Sequence, residues 1–88
     1  IENICELNLA ALIDEEQMQT GCVDQMLFDL PTLIAYLSSI VELFPGDLIF
    51  TGTPDGVGMS RKPPRFLTAG ETLHSSISQL GALRNPLL

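Results

Sequence analysis

The alternation of apolar and polar positions lays out a short series of elements. From Ile1 to Ile13 the odd positions are mostly apolar, among them Cys5, Leu7, Leu9 and Ala11, whereas the even ones include Glu2, Glu6 and Asn8. A period of two predicts a half-buried strand. Asp14-Glu15-Glu16 reads as a polar reversal, and Gln17 to Thr20 as a short returning strand that Thr20-Gly21 ends, so the pair makes a hairpin. The spacing then changes. Leu30, Leu33, Ile34, Leu37, Ile40, Val41 and Phe44 recur at helical intervals, which predicts a helix over about 30–44. Asp29 suits its N-cap, Pro31 its first turn, and Pro45-Gly46 its stop.

Leu48-Ile49-Phe50-Thr51 is apolar almost throughout and is expected as a short strand buried on both faces. Gly52 to Pro64 reads as loop, Phe66-Leu67 as a return to the core, and Thr68-Ala69-Gly70 as a turn. Thr72 to Ser78 alternates as a strand, and Leu80 to Leu83 forms a last strand or turn. The fold class expected is α+β, mostly β with one main helix, in a single domain over residues 1–88. The chain opens at Ile1, inside the first strand and without an initiator Met, which reads as a fragment or a processed chain.

Composition narrows the functions. Eighty-eight residues with a formal net charge of −7 exclude a multidomain enzyme with separate lobes. The acidic balance argues against a phosphate-tracking nucleic-acid binder and against docking on an anionic membrane. The longest apolar run, Leu9 to Ile13, is far short of a spanning helix, and no targeting signal is visible, so a cytoplasmic chain is expected. Two cysteines, Cys5 and Cys22, allow at most one bridge and are expected as reduced thiols; a disulfide-dependent domain is the competing reading. A chain this small gains from a partner subunit, which makes a homo-oligomer the expectation. Residues 1–55 hold ten acids and no base, whereas residues 56–88 set Arg61, Lys62, Arg65 and Arg84 against Glu71. The loop bases are either a solvated face or a means of steering an anion.

The chemistry-bearing stretch is Thr51-Gly52-Thr53-Pro54-Asp55-Gly56-Val57-Gly58. At a strand end that turns through glycines, backbone N–H groups and hydroxyls can converge on an anion. Gly52 admits close approach, Thr53 offers a hydroxyl, and Pro54 stiffens the chain beyond it. The spacing is neither a dinucleotide fingerprint nor a phosphate-binding loop, and an ordinary tight turn is the alternative.

The run from Leu43-Phe44-Pro45-Gly46-Asp47 through Thr51-Gly52-Thr53-Pro54-Asp55-Gly56-Val57-Gly58 closely resembles the fumarylacetoacetate hydrolase family. So do Met59 to Leu67, Gly70-Glu71, Leu80 to Pro86 and, upstream, Met26-Leu27-Phe28-Asp29 with the helix after it. The resemblance covers nearly the whole chain. It implies the carboxy-terminal part of a mixed β-roll that forms homodimers. It also implies metal-dependent hydrolysis, hydration, isomerisation or decarboxylation of 2-oxo acids and 1,3-dicarbonyl compounds, often in aromatic catabolism. A divalent ion, usually Mg²⁺ with Mn²⁺ or Ca²⁺ as substitutes, would chelate the small anionic oxo acid. The resemblance assigns substrate binding to Thr53, with Gly52 as its backbone neighbour.

Within residues 1–88 the resemblance assigns no metal ligand and no catalytic residue, because the family's Glu-x-Glu and Asp ligands and its catalytic His and Lys precede the matched region. Glu15-Glu16 on a hairpin tip and His74 in the late strand read as structural, and Tyr36 and Phe44 as packing residues. The chain departs from the pattern at Asp14-Glu15-Glu16, where the family hairpin has Asn-Gly-Glu. It departs again at Cys22-Val23, the usual Asn-Thr, and at Gln25, the usual Asp. Two readings therefore stand: part of an active enzyme, or a truncated, inactive relative that serves as a self-associating or partner-binding module.

Overall fold

The computed structural model describes residues 2–88. Its centre is one antiparallel sheet with strand order β2-β1-β3-β4, built from β1 (Asn8–Ile13), β2 (Glu16–Cys22), β3 (Thr72–Ile77) and β4 (Gly81–Pro86). The mostly β, one-helix class expected from the sequence is the class observed. The first strand is shorter than its period suggested. Asn3 Oδ1 accepts a hydrogen bond from the Cys5 amide and caps a 3-10 turn over Ile4–Glu6, so β1 starts only at Asn8. Ile1 lies outside the described residues.

The hairpin closes on Asp14-Glu15, with Ile13 opposite Glu16. Asp14 takes the left-handed conformation at φ +53°, which short polar side chains tolerate better than others. Its carboxylate accepts from the Thr72 amide while its own N–H donates to the Thr72 carbonyl, tying the tip to β3. Gly21, expected to end the second strand, stays within it. Ala11 pairs with Gln19 and Leu12 with Gln17, so Met18 is the extra residue of a β-bulge. Met18, Leu7 and Ile13 are the buried apolar side chains among the described residues.

Two elements need correction, besides Phe66-Leu67, which do not return to the core but are 62% and 48% exposed. The helix α1 spans Leu30–Ser38 rather than reaching residue 44. Asp29 caps it as expected, accepting from the Thr32 amide at 2.9 Å; the Thr32 hydroxyl and amide hold this carboxyl below its ordinary range. The early end has a local cause. Ser38 and Ser39 donate their hydroxyls to the carbonyls of Ala35 and Tyr36, competing with helix continuation, and the last turn tightens through Ile40 N–H to Leu37 O. Phe44-Pro45-Gly46-Asp47 then closes as a separate turn, with Gly46 at φ +94° and Asp47 N–H on the Phe44 carbonyl.

The second correction concerns residues 48–51. They carry no ladder, and Leu48 and Phe50 are 86% and 96% exposed instead of buried on both faces. The run pairs with none of the four strands, and its apolar side chains find no cover among the described residues. With Leu27, Phe28, Ile40 and Phe44 also exposed, the stretch from 27 to 50 is a largely uncovered apolar surface.

Candidate functional site

The Thr51-to-Gly58 stretch lies along β2, the edge strand, and three devices hold it there. Gly21 in β2 packs under Pro54; a Cβ on Gly21 would come within 2.9 Å of the Pro54 Cβ. Gly56 sits over the Met18 carbonyl, where a Cβ would approach the oxygen to 2.1 Å, and Gly58 sits equally tightly over the Arg65 carbonyl. Arg61 forms the third. Its Nη2 donates to Met18 O at 2.6 Å and its Nε to Gly56 O at 3.1 Å, bracketing loop and strand.

Gln19, one residue past the bulge, completes the attachment. Its Nε2 donates to Thr53 Oγ1 and to the Pro54 carbonyl, each at 2.7 Å. Thr53 is thus the point where the loop's side chains meet the sheet. Two hollows adjoin it. A groove of about 530 Å³ is lined by Thr51, Gly52, Thr53 and Asp55 together with Cys22, Met26 and Phe28. A second hollow of about 420 Å³ lies over the sheet face that carries Leu9, Ala11, Ser75 and Leu83. The first offers the polar wall that ligand recognition needs; the second is chiefly exposed apolar sheet.

The structure brings together both sequence-predicted residues. Gly52 stands at φ +97° with nothing within 4 Å of where a Cβ would be, so the groove reaches its backbone unobstructed. The loop bases do not join them. Arg61 is spent on carbonyls. Arg65 forks onto Glu71, with Nη1 and Nη2 each donating to a carboxylate oxygen, and also reaches Phe66 O. Its guanidinium first, and the Thr68 amide second, hold the Glu71 carboxyl below the ordinary carboxylate range. Asp55 is the charged residue on the groove wall, and Arg61 and Arg65 brace the loop and its neighbours instead of lining the groove.

His74 sits mid-sheet opposite Leu12 and Arg84, on the face away from Gln19, and Glu15-Glu16 is an exposed hairpin tip. Cys5 and Cys22 are both free thiols, the Cys22 sulfur lying 3.1 Å from the Cys5 carbonyl that accepts its proton. Gln19 is the residue that sequence reasoning missed. Its one signal was its place on an edge strand, two residues before a glycine that admits Pro54.

This disposition has relatives. The family model described as fumarylacetoacetate (FAA) hydrolase C-terminal matches residues 1–88. The chain belongs to the fumarylacetoacetate hydrolase family. It is 43% identical over 82 residues to oxaloacetate tautomerase fahd2, mitochondrial, of Xenopus laevis, covering 93% of this chain and 26% of that protein. Among solved structures, one from Mycobacterium smegmatis described as a putative HpcE protein superposes with a TM-score of 0.94 at 44% identity, over 100% of this chain and 32% of the other. Maleylpyruvate hydrolase from Sphingobium sp. SYK-6, in complex with manganese(II) ion and pyruvate, superposes with a TM-score of 0.85 at 27% identity, over 100% of this chain and 31% of the other. The chain therefore spans about a quarter to a third of the relatives it matches.

A divalent metal thus occurs in the fumarylacetoacetate hydrolase family, but these residues do not form a site for one. Among the described residues no three His, Cys, Asp or Glu side chains gather closely enough to hold an ion. Nor is any helix of the described residues long and apolar enough to cross a membrane.

Proposed function

We propose that the protein acts on 2-oxo acids or related 1,3-dicarbonyl compounds by hydrolysis, isomerisation or decarboxylation, and that residues 51–55 supply the wall that binds the substrate's carboxylate. The observation that carries this reading is the placement of Thr53. Its hydroxyl oxygen is fixed by Gln19 at 2.7 Å while its flank faces the groove. The groove wall contains no Lys or Arg, so an anion there is recognised by neutral donors, the Thr53 hydroxyl and the backbone bared at Gly52. Kinship with a hydrolase and a tautomerase supports the reaction class. Magnesium is the ion proposed for the full-length protein, with its ligands outside the residues described.

In the full-length protein supplied with Mg²⁺ or Mn²⁺, Thr53→Val should raise KM for a 2-oxo acid such as oxaloacetate by about tenfold, the worth of one hydrogen bond to a charged group. Thr53→Ser should stay within about threefold of the parent, since the hydroxyl is kept. An unchanged KM for Thr53→Val removes Thr53 from the site.

One observation favours a second reading, a self-associating module without activity. Apolar side chains from Leu27 to Phe50 stand exposed, and monomers rarely present so much uncovered apolar surface. Sedimentation and turnover assays of the 88-residue chain test this second reading. A monomer at every concentration contradicts self-association, and turnover by that chain contradicts inactivity.

A further inference from the structure

We propose that Gln19 is a positioning residue for the substrate wall, setting the Thr53 hydroxyl as a hydrogen-bond donor toward the groove and so tuning the site to groups that only accept. The inference rests on the reading of Thr53 as a substrate contact. It starts from the Pro54 carbonyl, which has lone pairs and no hydrogen. The Gln19 atom 2.7 Å from it must therefore be the amide nitrogen, because the amide oxygen there would set acceptor against acceptor. The same nitrogen lies 2.7 Å from Thr53 Oγ1 and has one hydrogen left to give. Thr53 Oγ1 accepts it. The threonine's own hydrogen then points away from Gln19 and is free for a partner entering from the groove. A carboxylate accepts such a hydrogen; an ammonium or an amide N–H does not.

The loop backbone does not depend on this amide. Gly21 under Pro54, Gly56 over Met18 O, and Arg61 on two carbonyls fix residues 54–61 independently. Changing Gln19 should therefore redirect the hydroxyl while leaving the loop in place. Gln19→Glu is the sharpest substitution: its carboxylate only accepts, so it is pushed off the Pro54 carbonyl and takes the Thr53 hydroxyl as its donor, withdrawing it from the groove. Gln19→Met removes the donors without adding an acceptor and leaves Thr53 Oγ1 without its anchor, so the side chain is free to change χ1 rotamer as well as to rotate its hydroxyl.

In the full-length protein with Mg²⁺, Gln19→Glu should raise KM for oxaloacetate about tenfold with kcat within about twofold, and Gln19→Met about threefold. In a Thr53→Val background Gln19→Met, which adds no charge, should add nothing further, because the hydroxyl it acts through is gone. Independently of turnover, the χ1 coupling of Thr53 in the NMR spectrum should show one rotamer in the parent and averaging in Gln19→Met. The outcomes separate the two readings. An unchanged KM in Gln19→Glu, with a raised KM in Thr53→Val, overturns the positioning role alone. An unchanged KM in Thr53→Val overturns the substrate contact; the χ1 coupling then decides positioning, and an unaltered coupling in Gln19→Met overturns it.

Discussion

Residues 46–52 and 53–61 are consecutive stretches of irregular chain, both punctuated by glycine, yet they are held in opposite ways. In the first, Gly46 and Gly52 have positive φ and open space around them. Glycine is there for its backbone freedom, and the neighbouring apolar side chains find no cover among the described residues. In the second, Gly56 and Gly58 are pressed against carbonyl oxygens, and Gln19 and Arg61 lace the segment to the edge strand. Glycine is there for lack of volume. The same residue type thus marks an open turn in one stretch and a docking surface in the other, and only the docked stretch presents a hydroxyl held by the sheet.

The largest expected effect breaks the comparison if it fails. Gly56→Ala should cost about 3 kcal/mol or more, since it adds a clash with Met18 O to strain at φ +106°, and Gly58→Ala should cost about as much through Arg65 O. Gly46→Ala and Gly52→Ala should cost only about 1 kcal/mol, the conformational part alone. Urea unfolding of the full-length protein measures all four, and equal costs would erase the distinction.

Next, Arg61→Met should destabilise by about 2 kcal/mol, because it strips charge-assisted bonds from two carbonyls, whereas Lys62→Met should stay within about 0.5 kcal/mol. An equal effect at both would make the loop a plain charged surface. Outside both stretches, Asp29→Ala should lower the urea midpoint through loss of the α1 cap, and by less than Arg61→Met does. Asp29→Asn, which keeps an accepting oxygen for the Thr32 amide, should restore most of that loss.

The smallest effect is on pH dependence. The folded-state pKa of Glu71 is depressed by Arg65, so its contribution is fully present above the unfolded value, roughly 4.3, and is lost as pH falls through the folded one. Glu71→Gln should flatten the acid limb of the stability profile below about pH 4 and leave neutral pH nearly untouched. A parallel acid limb would show that the pair contributes nothing differential.

Much of the sheet was legible, because a period of two survives in β1 and β3 and the turns carry their own residues. The bulge at Met18 and the persistence of β2 through Gly21 were not, since both depend on what lies across the strand. Thr53 and Gly52 stood out at a strand end that turns through glycines, and the family resemblance gave them the substrate-binding role proposed above. The helix overran because Ile40, Val41 and Phe44 continue the stripe, while hydrogen bonding by Ser38 and Ser39 ends the coil. The bracing role of the loop arginines was illegible for a related reason. A guanidinium in sequence does not reveal that backbone carbonyls have claimed it, and Gln19 gives no hint of its two acceptors.

The most direct test of the substrate wall is binding without turnover. Pyruvate titrated into the full-length protein with Mg²⁺ present, and followed through the backbone amide signals of Gly52 and Thr53, should give saturable shifts at both that weaken about tenfold in Thr53→Val. Saturable pyruvate binding that leaves those two signals unmoved would contradict the assignment.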